Sequence, residues 1–286
     1  MESYDVGRVF SRMFEMVRIN FWAVAGFVLL ATLVSFAISL LSLGSMFAAI
    51  GEAVQTGGLG SDSALQIAAA SQSAQASPLY WVGQLIGLVV ASAILAGCVD
   101  ACLRSNRGES ASFSTSWAAA LNYCLPVFGF MILYILAISA VVTVAALIGV
   151  FVAGWLGVLI GLAAVLVLGS MLVVALPALV NGDAGVFGSF GRSVSLTKGH
   201  LGIIVVSLIL FVLMLFALML VVVLVLGLFG IVLAKISPVL LILMIVPYVA
   251  LLIAYQLLAS GSMTAIYAEL RDIKEGGDSA LGDVFA

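Results

Sequence analysis

Leu125 to Val180 reads LPVFGFMILYILAISAVVTVAALIGVFVAGWLGVLIGLAAVLVLGSMLVVALPALV, without one Asp, Glu, Lys, Arg or His. A helix crossing the hydrocarbon core of a bilayer needs about 20 mainly apolar residues, so this run is long enough for two crossings. The turn between them is expected near Gly149 to Gly154, with Trp155 at its edge. Inside lipid only a helix satisfies every backbone group within its own segment, unless strands close into a barrel. The run reads as a helical hairpin in a membrane.

The rest of the chain agrees. Over 286 residues, 65% are apolar and only 8% charged, against roughly 25% charged in an average soluble domain. Mean hydropathy is +1.35. A soluble enzyme, a nucleic-acid binder and a disordered scaffold are excluded together, because none could wet its surface with so few charges. Outward from the central hairpin, apolar stretches predict spans at about 21–43, 79–103, 125–148, 155–180, 201–233 and 238–260. Residues 1–286 form a single transmembrane domain, with an outer loop at 45–77 and a cytoplasmic tail at 265–286. The loop, rich in Gly, Ser, Ala and Gln, reads as a cap or spacer, with a short helix possible at 64–76. The approach to the first span, with Arg8, Arg12 and Arg18 among acids, reads as part of the mature protein and not as a cleavable signal.

Basic residues set the orientation, since cytoplasmic loops hold an excess of Lys and Arg. With the N-terminus inside, nine of the ten basic residues fall on the cytoplasmic side and only Lys235 outside. Both termini are therefore expected in the cytoplasm. Three inner segments share an aromatic and apolar spacing: GRVFSRMFEMVRIN from Gly7, SASFSTSWAAALNY from Ser110, and AGVFGSFGRSVSLTKGH from Ala184. Each fits an amphipathic elbow helix in the headgroup plane before a turn into the membrane. The expected fold class is all-α, six transmembrane helices as three hairpins, each preceded by a cytoplasmic interfacial helix at 7–18, 112–122 or 185–197.

Catalytic chemistry has little to stand on. There is one histidine, His200, and no HExxH, GxSxG, Walker or dinucleotide motif. Cys98, Cys102 and Cys124 are odd in number and read as small buried residues, not as a disulfide or metal framework. No catalytic residue, metal site or cofactor is expected. Gly185, Gly188 and Gly191 fit a smooth helix face better than a phosphate loop, and Gly83, Gly87, Ala91, Ala153, Gly157 and Gly161 give small faces for close helix contact.

Two polar groups remain as site candidates. Arg192, Ser195, Thr197, Lys198 and His200 lie at headgroup depth, where hydroxyls and cations suit an anionic lipid phosphate. The alternative is that Arg192 and Lys198 only snorkel. Within the spans, Asp100, Arg104, Gln84 and Gln256 could line a path, although Asp100 and Arg104 at i,i+4 also fit a structural tie.

Leu176 to His200 (LPALVNGDAGVFGSFGRSVSLTKGH) and Ala265 to Asp278 (AIYAELRDIKEGGD) together resemble the membrane domain fused to some bacterial glycerophosphoryl diester phosphodiesterases, and its stand-alone relatives. Asn181 stands where that family commonly has an acidic residue, with Asp183 two places on, and Leu201 and Gly202 stand where an aromatic or basic residue often follows. The resemblance implies an inner-membrane helical module without the catalytic barrel, so the phosphodiesterase activity is not carried over. The expected function is a non-enzymatic module that organises lipid or a membrane partner protein at its cytoplasmic face. A small-solute transporter or channel between the hairpins is the alternative, and an intramembrane enzyme a distant third. No nucleic-acid partner is expected, and the sequence leaves the oligomeric state open.

Overall fold

The computed structural model describes residues 4–42, 51, 68–69, 72, 75–152, 154–236 and 245–276. Among them the regular structure is helical, with eight long or short helices: α1 (Val6–Ser42), α2 (Pro78–Asn106), α3 (Phe113–Phe151), α4 (Gly154–Leu172), α5 (Ala175–Val180), α6 (Val186–Thr197), α7 (Leu201–Ile236) and α8 (Ile245–Glu275). Six stretches are long and apolar enough to cross a membrane: Val6–Ile38, Pro78–Asn106, Phe113–Phe151, Gly154–Val180, Leu201–Phe229 and Val246–Glu275. They match the six expected spans in order. The expected spacer at 45–77, and residues 238–244 of the sixth span, fall mostly outside the described residues.

The elbows differ from expectation. Residues 7–18 and 112–122 run without a break into α1 and α3, so neither is a separate helix. Nothing local stops them. The Asn20 amide donates back to the Met16 carbonyl at 2.9 Å, and α3 begins at a capping box between Ser112 and Thr115. The third segment does stand apart as α6. It ends at Lys198, and Gly199 at φ +94° turns the chain into α7, a conformation open to glycine but costly for other residues. Proline produces the other interruption. Pro177 offers no N–H to the carbonyl of Val173, and the helix breaks at Val173 and Val174 before resuming as α5.

The sixth span also runs further than expected. α8 continues past Ser260 to Glu275, and Ala265, Ile266, Tyr267, Ala268 and Leu270 are buried. The start of the expected tail at 265 is thus core helix.

Packing is uneven along the bundle. The main core joins Val9, Met13 and Met16 of α1 to Val99 and Leu103 of α2, to all of α5, and to Ile266 and Leu270 of α8. Phe10 stacks on Phe211 of α7 with ring centres 4.4 Å apart. A second cluster sets Val24, Phe27 and Val28 against Ile94 and Cys98 of α2 and Ile253 and Leu257 of α8. Beyond these, large apolar side chains of α3, α4 and α7 point outward, Val212 to Phe229 of α7 most of all, as expected for a lipid-facing span. The expected small faces are only partly used. A Cβ at Gly157 would lie 2.5 Å from the Ala145 carbonyl, so this glycine closes the α3–α4 hairpin. In α2 the contact glycine is Gly97, against the Phe27 ring, whereas Gly87 faces open space. Gly185 and Gly191 likewise meet nothing within 4 Å.

Candidate functional site

α1 and α8 run side by side in opposite directions, with Gly261 against Met13 and Val17. Two turns further on, this register faces Arg8 and Arg12 with Glu269 and Asp272. Arg8 Nε lies 3.1 Å from Glu269 Oε1, and Arg12 Nη2 lies 3.8 Å from Oε2. Arg12 Nη1 also pairs with Asp272 at 2.8 Å. The Asp5 amide donates to Glu269 Oε1 at 3.3 Å. Glu269 is 1% exposed. A carboxylate so removed from water costs several kcal/mol unless cations and donors surround it, and here two arginines and an amide do so. Nearby, the buried Tyr4 hydroxyl donates to Ser207 at 3.2 Å. Burial pushes its pKa up from the ordinary value, the hydrogen bond to Ser207 works against the rise, and Glu269 adds to it.

A second network joins the two stretches that carry the family resemblance. Tyr267 donates to Asp183, while the Asn181 amide donates to Asp183 at 2.6 Å and to the Tyr267 hydroxyl at 3.2 Å. Arg192 bridges Asp183 (3.9 Å) and Glu275, and Arg271 reaches Glu275 at 3.4 Å. Lys274 donates to the Ser195 and Lys198 carbonyls at the end of α6, which supplies a partner to carbonyls that a helix end leaves open. Asp183 and Asn181 are thus tied to Tyr267 of α8.

These networks border a cavity of about 1290 Å³. Arg8, Arg12 and Glu15 of α1 form one wall, and the end of α2 with Arg107 forms another. Tyr267, Arg271, Asp272 and Glu275 of α8 complete it, with Asn181 at the edge. Small-molecule sites usually measure about 300–1,000 Å³, so the space admits a polar group with water around it. Charges of both signs line it. That composition suits recognition of a polar or zwitterionic group. Among the described residues, no group of three or more His, Cys, Asp or Glu side chains is placed to hold a metal ion.

The sequence-predicted residues are scattered with respect to this cavity. In the headgroup group, Arg192 is engaged by Asp183 and Glu275, Ser195 donates to the Arg192 carbonyl at 2.7 Å, and the buried Thr197 donates to Ser193 at 3.0 Å. Lys198 is exposed, and His200 holds a buried Nδ1 without a hydrogen-bond partner. Arg192, Ser195 and Thr197 are turned to separate partners, and the five residues share no common centre. Asp100 and Arg104 do meet, at 2.8 Å, and Arg104 also reaches Glu109 at 3.2 Å. Gln84 lies exposed 16 residues before Asp100, about 24 Å along α2 at 1.5 Å per residue. Gln256 sits beside the Cys98 thiol. These four do not converge on one path.

Sequence reading missed Arg8, Arg12, Arg107, Tyr267, Glu269 and Arg271 as a site. The signal was there in part: Ala265, Ile266, Tyr267 and Leu270 alternate with charges at helical spacing, which marks a half-buried helix more than a tail. No family model, no curated protein and no solved structure matches this chain.

Proposed function

We propose that this chain is a non-enzymatic module of a bacterial inner membrane, with both termini cytoplasmic, that organises lipid or a membrane partner at its cytoplasmic face. The observation that carries the reading is the charged cavity among the ends of α1, α2 and α8, set at the best-packed end of an otherwise apolar bundle. The hairpins α1–α2, α3–α4 and α7–α8 stand the module in the bilayer. Of the three amphipathic segments, 185–197, which stands apart as α6, meets the headgroup layer. The resemblance of Leu176–His200 and Ala265–Asp278 to the phosphodiesterase-linked membrane domain fits this role and brings no hydrolytic activity with it.

Lipid is the first partner to test. Full-length protein reconstituted in nanodiscs of mixed phospholipids should enrich at least one headgroup class relative to empty discs, and proteoliposomes should show no solute flux above protein-free vesicles. A lipid composition equal to the bulk, with no partner cross-linked in native membranes, would sink the reading. Solute flux would replace it with the transporter.

A further inference from the structure

Most charges on the cavity wall are already spent. Arg8 and Arg12 hold Glu269 and Asp272, and Arg271 holds Glu275. Two wall residues are different. Glu15 on α1 makes no ion pair among the described residues, and Arg107 beyond α2 has only a long contact, its Nε 3.6 Å from Glu109 Oε1. The Arg107 side chain is 46% exposed, and its Nη groups are open. The cavity therefore offers one anion outside any ion pair, Glu15, and one cation, Arg107, whose pairing is a 3.6 Å contact to a glutamate that Arg104 already holds at 3.2 Å. A polyanion would find that one loosely held guanidinium and meet Glu15, Asp272 and Glu275. A ligand with one charge of each sign meets neither problem.

We propose that this cavity binds a phosphate-and-ammonium zwitterion, the chemistry of a phosphoethanolamine group. The phosphate sits on the open fork of Arg107, which can grip two oxygens at once. The ammonium sits on Glu15. The inference rests on the lipid-organising reading and narrows it to one headgroup class. A soluble phosphoethanolamine would satisfy the same two residues, so source and site are tested separately.

The experiment uses the full chain in detergent, by native mass spectrometry. It is offered phosphatidylethanolamine and phosphatidylglycerol of identical acyl chains. Ethanolamine lipid should be retained about fivefold over glycerol lipid, the ratio that one well-placed charge contact near a membrane surface supplies. Glu15→Gln should abolish that preference, and Arg107→Gln should weaken retention of both lipids. Both residues are exposed, and an unchanged melting temperature will show that the fold survives. Free phosphoethanolamine should compete with the lipid; if it alone raises the melting temperature while lipid is not retained, the ligand is the soluble compound and the site stands. Equal retention of the two lipids without a soluble ligand effect, or a preference that persists in Glu15→Gln, overturns the site. If some lipid is still enriched, the lipid-organising reading survives that failure; if none is, both fall.

Discussion

Glu269 is held by Arg8, Arg12 and the Asp5 amide, and which partner is removed decides what is lost. Arg8 and Arg12 are partly exposed and reach water, and Arg12 keeps Asp272 if the glutamate goes. Glu269 itself has no such escape. Arg8→Ala with Arg12→Ala leaves a buried carboxylate without cations, a change that costs about 3–5 kcal/mol in comparable buried pairs. Glu269→Ala should cost clearly less, because the charges left behind are hydrated. Thermal or SDS unfolding of the two variants in detergent should rank them in that order; a larger loss for Glu269→Ala would show that the carboxylate is not the strained partner. None of this pairing was legible in the sequence. The partners lie at opposite ends of the chain, and only the antiparallel register of α1 and α8 brings them together.

Among the elements, the spans were legible because a bilayer imposes one length and one composition on whatever crosses it. The ends of the spans were not. A hydropathy window stops at the first charges, whereas a helix continues while its backbone bonds continue, as α8 does to Glu275 and α1 does from Val6. Breaks need a local cause, as at Pro177 and at the left-handed glycines Gly108, Gly182 and Gly199. Gly199→Ala should destabilise the α6–α7 turn by about 1–2 kcal/mol, the cost of a left-handed backbone for a residue with a Cβ. Gly202→Ala, with open space around it, is the control and should be near neutral. Proteolysis rates at the α6–α7 junction would report the difference. Equal effects of the two substitutions would mean that the turn is not set by φ.

For the whole molecule, orientation rests on the nine-to-one placement of basic residues. Cysteines engineered at positions 58 and 279 should react with impermeant reagent from opposite sides of the membrane. Same-side labelling would overturn the six-span topology, and labelling of position 279 from outside would invert the assignment of the cavity to the cytoplasm. Hydrogen exchange should follow packing: amides near Met13, Val99 and Leu270 should be the slowest, and those of α3 and α7 beyond the core should exchange earlier wherever lipid is stripped away.

The long, loosely flanked helices have one more consequence. α3 has 39 residues and α7 has 36, which at 1.5 Å each is about 58 and 54 Å. The hydrocarbon core is only about 30 Å thick. Both helices must lean or project; α3 is held against α2 and α4, whereas α7 buries few side chains beyond Phe211, so little in the protein dictates how its far end leans. The bilayer does. A thicker membrane lets α7 stand straighter and a thinner one tips it over, while α1, α2, α3 and α8 stay locked by their shared core. The molecule is a fixed hub with one adjustable outrigger, whose lean follows the acyl-chain length around it.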